Sequence, residues 1–230
     1  MYDDARLTFV VRKSTGDFEP GIDEPLGLDT PRDGVLYVPD TAEPGAPLLV
    51  FLHGATGSGR AHLRAVLAAA DRYGVILVAP DSRGGSSWDL IEQQAFGPDV
   101  AFLDRVLDEV VDRVDADVEG RLAIGGVSDG ASYALSLGLA NGDVFSTVIA
   151  FSPGFLAVPS AVGRPRVFVS HGTADPILPI DACSRRLVPP LREAGYEVQF
   201  TEFDGGHTIP PAVADEGLRW WLDGSAIADR

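Results

Sequence analysis

Four short, almost wholly apolar runs, at residues 48–52, 75–79, 122–126 and 167–170, recur along the chain with segments of helical period between them. A strand with one face in water alternates apolar and polar residues, whereas a run that is apolar throughout is covered on both faces. Such strands, separated by helices, assemble into a mostly parallel central sheet with helices on both faces, because parallel neighbours need a crossover and the helix supplies it. Further strands are predicted at Leu7–Val11, Val35–Val38, Thr147–Phe151 and Glu197–Phe203, and helices over 60–73, 99–114, 129–141, 180–194 and 209–223. The helix over 99–114 has the strongest pattern: Val100, Leu103, Leu107, Val110 and Val114 follow three- and four-residue spacing with charged residues between them. Gly195 stands where the fourth helix should stop. The first two strands are joined by a Gly/Pro/Asp-rich stretch, residues 16–34, in place of a helix, so they are expected to form an antiparallel edge. The 230 residues show no repeat and no linker, and residues 1–230 are expected to form a single domain.

Charge narrows the partners. The net charge is −16, and so acidic a surface repels phosphate backbones and anionic headgroups, which argues against nucleic acid and against stable membrane association. No apolar run approaches the roughly twenty residues of a membrane span. The first residues, MYDDARLTFVVRKSTGD, carry acids where a signal peptide places its positive region, so a cytoplasmic location is expected. Cys183 is the sole cysteine, which leaves no intrachain disulfide and no cysteine-based metal site; it is read as a small, partly buried apolar residue.

Gly126-Val127-Ser128-Asp129-Gly130 is a G-x-S-x-G sequence that follows an apolar strand and opens a helical segment. A nucleophile on so sharp a strand-to-helix turn takes a strained backbone conformation, and glycines two residues to either side remove the side chains that would collide across it. The helix beyond it aims amide N–H groups at a developing oxyanion. A serine hydroxyl needs a base to take its proton and an acid to orient that base. Of the four histidines, His207 lies in a flexible Asp-Gly-Gly-His loop after the last strand and is the best base. His53 and His171 each precede a glycine at a strand end and are expected to be structural, and His62 is expected at the surface of a helix. Asp175, just after the strand at 167–170, lies at the same carboxyl edge as Ser128 and completes the order Ser, Asp, His. It is preferred over Asp204, which is too close in sequence to His207 to reach round to Nδ1. The loop His53-Gly54-Ala55-Thr56-Gly57-Ser58-Gly59 is expected to offer the Ala55 amide to the oxyanion, beside that of Asp129.

These residues resemble a family. Leu52-His53-Gly54, the segment Arg121–Ser128, His171–Pro179 and Gly206-His207 are similar to the motifs of α/β-hydrolases of the phospholipase/carboxylesterase group, the lidless esterases related to acyl-protein thioesterases. Trp88-Asp89 resembles the Trp-x-Asp-type segment of those enzymes, one residue shorter. The resemblance spans residues 48–207 and implies an α/β-hydrolase fold with no large cap domain. Carried over by position, it implies Ser128 as nucleophile, Asp175 as acid, His207 as base and backbone donors at Ala55 and Asp129. The family commonly has glutamine where this chain has Asp129, and a carboxylate in the first turn of a helix is expected to point away from the oxyanion.

Only residues 152–158 stand where lipases often insert a cap, which predicts an open cleft for short- to medium-chain acyl esters. Trp88, Phe155 and Leu156 are candidate substrate-binding residues, with ordinary packing as the competing role. The expected activity is that of a serine carboxylesterase acting on a small-molecule ester through an acyl-serine intermediate, without metal or organic cofactor. A polyester or feruloyl-type esterase, a thioesterase, a serine amidase or peptidase and a non-catalytic binding protein are the alternatives.

Overall fold

The computed structural model describes residues 5–28 and 31–228. Its centre is an open eight-stranded sheet in the order β1-β2-β4-β3-β5-β6-β7-β8, built from β1 (Ile22–Pro25), β2 (Gly34–Val38), β3 (Leu48–Leu52), β4 (Ile76–Pro80), β5 (Leu122–Val127), β6 (Thr147–Phe151), β7 (Arg166–Gly172) and β8 (Val198–Phe203). β1 and β2 are antiparallel to their neighbours and every other pairing is parallel. The four apolar runs all lie within the parallel part, as continuous double-sided burial requires.

The strands divide their side chains between two cores. Leu48, Val50 and Leu52 of β3 enter one, while Leu49 and Phe51 enter the other; β4 splits likewise, Ile76 and Val78 against Leu77 and Ala79. The first core is closed by α4 (Pro98–Arg113), α5 (Asp129–Ala140) and α6 (Ser184–Glu193). The second is closed by α1 (Gly59–Leu63), α2 (Leu67–Tyr73) and α7 (Pro211–Ala228). α4 starts at a proline in its first turn and buries Val100, Phe102, Leu103, Val106, Leu107, Val110 and Val111. Each such side chain contributes about 1.5–3 kcal/mol of burial. Gly195 has φ 85° just beyond α6, where its amide bonds Arg192 O.

Three local expectations are corrected. Residues 7–11 alternate as a strand would, with Leu7 and Phe9 buried and Val10 exposed, but they join no sheet. Their backbone donors are taken by side chains instead: Asn141 Oδ1 accepts from Leu7 N, and Asp104 accepts from Thr8 N and Phe9 N. The antiparallel partner of β2 is β1, inside the stretch read as loop. The helix predicted over 60–73 is two, α1 and α2, interrupted at 64–66. A short α3 (Asp89–Glu92) was not expected. Residues 152–165 hold no helix or strand, so no cap rises between β6 and β7. The acids at positions 3 and 4 that weighed in the localisation reading lie outside the described residues. Among the described residues no helix is long and apolar enough to cross a membrane.

Candidate active site

β5 ends at Val127, and the chain reverses into α5 through Ser128, whose φ of 58° and ψ of −120° lie outside the regions that L-residues favour. Such a conformation costs on the order of 1–3 kcal/mol and persists only where its surroundings over-determine it. Here they do. Ser128 N donates to Phe151 O at 3.0 Å, and Ser132 N returns to Ser128 O at 3.0 Å. A Cβ on Gly130 would stand 2.3 Å from Leu52 O, and one on Gly126 would stand 2.6 Å from the Gly130 backbone, so the turn closes against β3 only with glycine at both places.

At the end of β7, Asp175 is buried and fully engaged. Its Oδ1 accepts from Ile177 N and Leu178 N, both at 2.9 Å, and its Oδ2 accepts from His207 Nδ1 at 2.6 Å. Burial alone would raise this carboxyl, but the amides of Leu178 and Ile177 and the His207 ring outweigh it and hold Asp175 below the usual carboxylate range. Ala174 N bonds Gly205 O at 2.9 Å and Thr173 N bonds Phe203 O at 2.9 Å, which ties the aspartate loop to the histidine loop. Asp204 is exposed on that same loop, and the carboxylate that His207 Nδ1 bonds is that of Asp175. Since the bond from Nδ1 to Asp175 occupies the inner side of the ring, Nε2 is the nitrogen left for the cleft.

The loop after β3 is clamped by buried polar groups. His53 is wholly buried; its Nε2 accepts from Ser82 N at 3.0 Å, so its proton is on Nδ1, which donates to Gly54 O at 2.7 Å. Burial lowers its pKa and keeps it neutral. Residues 82–89 buttress the same loop: Thr56 N bonds Ser86 O at 2.6 Å, and the Trp88 indole N–H donates to His53 O at 2.8 Å. Ser87 Oγ donates to Asp129 Oδ2 at 2.6 Å and so anchors that carboxylate. This buttress is itself stapled by two buried acids. Asp89 N donates to Asp99 Oδ2 at 2.6 Å and Asp99 N to Asp89 Oδ2 at 2.9 Å, while Arg83 N donates to Asp99 Oδ1. Burial pushes Asp99 up to about 6 and raises Asp89 as well. The Ala55 amide has no hydrogen bond among the described residues, and Asp129, first in α5, has no partner one turn back.

Gly54, Ala55, His62, Ala65, Val127, Ser128, Ile177, His207, Thr208 and Ile209 line one cleft of about 370 Å³. No acidic residue, lysine or arginine is among them. A hollow of about 430 Å³ at the opposite ends of the strands, beside Pro47, Gly74 and Arg121, is larger but holds no serine or histidine. Among the described residues no group of three or more His, Cys, Asp or Glu is arranged to hold a metal.

Of the proposed substrate-binding residues, none lines this cleft. Trp88 is fully buried, packed between His53 and Tyr133 beneath the loop, because its indole N–H needs an acceptor and finds one in His53 O. Phe155 is exposed and borders a separate hollow with Leu90, Ile91, Gln94 and Ala157, and Leu156 packs on the first core. His62, read as a surface residue, lines the cleft instead. Its position one turn into the helix that follows the His53–Gly59 loop is the signal that would have placed it there. His171 has the structural setting expected, buried with Nδ1 accepting from Ser184 Oγ at 2.6 Å and Nε2 donating to Leu178 O at 2.7 Å.

The Esterase family model, described as "Putative esterase", matches residues 27–186. Feruloyl esterase C of Emericella nidulans is 29% identical over 160 residues, which cover 65% of this chain and 57% of that protein. A protein of Aspergillus oryzae named "Probable feruloyl esterase C" is 28% identical over 162 residues, covering 59% of this chain and 58% of that one. The chain thus spans less than two thirds of the length of these curated relatives. Among solved structures, esterase PE8 superposes with a TM-score of 0.67 at 24% identity, over 83% of this chain and 97% of that one. The chain belongs to the Esterase family and has an α/β-hydrolase fold.

Proposed function

We propose that this protein is a serine carboxylesterase that hydrolyses short- to medium-chain esters of small molecules through a covalent acyl–Ser128 intermediate. One observation carries the reading: the His207 Nδ1–Asp175 Oδ2 bond of 2.6 Å orients an imidazole into the cleft that also holds Ser128 on its strained turn. Ser128 Oγ attacks the ester carbonyl while His207 Nε2 takes its proton, and Asp175 stabilises the resulting imidazolium. The amides of Ala55 and Asp129 hold the oxyanion. His207 then gives the proton to the leaving alkoxide as the C–O bond breaks, and the same base activates water to release the acid. The scheme uses no metal or organic cofactor.

Labelling with a fluorophosphonate probe, followed by mapping of the adduct, tests the assignment. Modification of Ser128 is expected, and modification of a different serine overturns it. Preference for p-nitrophenyl esters over the matching anilides is expected of an esterase and not of an amidase.

A second reading, hydrolysis of feruloyl esters, is favoured by the names of the two curated relatives. Turnover of methyl ferulate against p-nitrophenyl butyrate separates the two.

A further inference from the structure

His62 stands in the Ser128 cleft with one ring nitrogen uncommitted. Its Nδ1 lies 3.4 Å from Ser58 O, an atom that only accepts, so the ring proton sits on Nδ1 and Nε2 keeps its lone pair. No other hydrogen bond reaches this ring among the described residues.

Two glycines locate that lone pair. A Cβ built on Gly57 would fall 2.3 Å from His62 Cε1 and 2.5 Å from Nδ1, so the imidazole lies against the backbone of the His53–Gly59 loop in space only glycine leaves open. A Cβ built on Gly54 would stand 3.3 Å from Ser128 Cβ and 3.5 Å from His62 Nε2. The nitrogen is therefore no farther from Ser128 Cβ than those two distances end to end, which is the reach of a few covalent bonds from the carbonyl that Ser128 attacks. Besides Ser128, His207 and the Thr208 hydroxyl, the side chains that line the cleft are the apolar Ala55, Ala65, Val127, Ile177 and Ile209.

We propose that His62 Nε2 is a specificity determinant of this cleft, accepting a hydrogen bond from a hydroxyl group that the ester substrate carries a few bonds from its scissile carbonyl. A lone pair selects a donor, so a carboxylate or phosphate substituent gains nothing here. An ammonium group would need a carboxylate to balance it, and none lines the cleft. The substrate class is thus an uncharged hydroxy ester, with its hydroxyl on either the alcohol or the acyl side. The inference rests on the esterase reading and on Ser128 as its nucleophile.

The test uses two near-isosteric pairs on the purified protein: 2-hydroxyethyl butanoate with propyl butanoate for the alcohol side, and methyl 3-hydroxypropanoate with methyl butanoate for the acyl side. The wild type is expected to favour the hydroxylated member of one pair by about ten-fold in kcat/KM, the effect of one well-placed hydrogen bond. His62→Phe is expected to bring that ratio to about one. His62→Ala makes the same prediction without steric demand should the phenylalanine variant not fold. A ratio near one in both pairs for the wild type overturns the proposal, as does a wild-type preference that survives in either variant. A wild type that hydrolyses none of the four esters overturns the short- to medium-chain ester reading on which the inference rests, whereas equal hydrolysis of all four removes only the hydroxyl subsite.

Discussion

His171 Nε2 lies 3.3 Å from Asp175 Oδ2, the same carboxylate oxygen that accepts the 2.6 Å hydrogen bond from His207 Nδ1. Two imidazoles of different character face one oxygen: His171 is buried, its pKa is lowered by that burial, and its Nε2 proton goes to Leu178 O at 2.7 Å. His171→Leu should cost about 2–4 kcal/mol in denaturant melts, since Ser184 Oγ and Leu178 O lose their partner.

Asp175 and Asp204 make opposite predictions. Asp175→Asn keeps an oxygen for the Ile177 and Leu178 amides but presents the wrong group to His207, and kcat should fall by about 10³–10⁴-fold with little change in fold. Asp204→Asn should leave kcat within about two-fold, as an exposed surface change does. Steady-state kinetics on one p-nitrophenyl ester decides both.

The Asp129 carboxylate is occupied by Ser87 Oγ, an interaction that an asparagine oxygen also accepts. Asp129→Asn should then change turnover by no more than about three-fold, of the order of one modest hydrogen bond. A large rise in turnover would mean that the carboxylate opposes the oxyanion.

The Asp89–Asp99 staple predicts a dependence of stability on pH. Asp99 is raised to about 6 in the folded chain, so its contribution is fully present below its unfolded value near 4 and is lost as pH rises through about 6. Asp89→Asn removes a like charge facing Asp99 while keeping an oxygen for Asp99 N. Its Tm should exceed that of the wild type, by more at pH 7.5 than at pH 4.5, in thermal scans at matched ionic strength.

What was legible in the sequence follows from the range of the forces involved. Continuous apolar runs report double-sided burial directly, so the parallel strands emerged with nearly their observed bounds. The serine turn was readable because its glycines answer to backbone contact within a few residues. Asp175 was readable because it lies at a strand end. Period alone could not say what residues 7–11 pair with: their alternation is real, yet Asn141 and Asp104 take the backbone donors that a neighbouring strand would have taken. Trp88 and His62 were exchanged for a similar reason. Which of two nearby rings faces the cleft depends on an acceptor for Trp88 contributed by His53, far away in sequence, and on space for His62 left by Gly57, which acts only once the loop has folded back on the helix.

β5 lies between β3 and β6 and is buried along its whole length, whereas β8, which launches the His207 loop, is the half-buried last strand of the sheet. Amide exchange should accordingly be slowest around Ser128 and faster around 198–207, since opening free energies follow burial and strand neighbours. Gentle warming would then release the base before it disturbs the nucleophile. The first step of inactivation would be a reversible parting of His207 from Ser128, with the strained turn still standing and ready to be re-engaged on cooling.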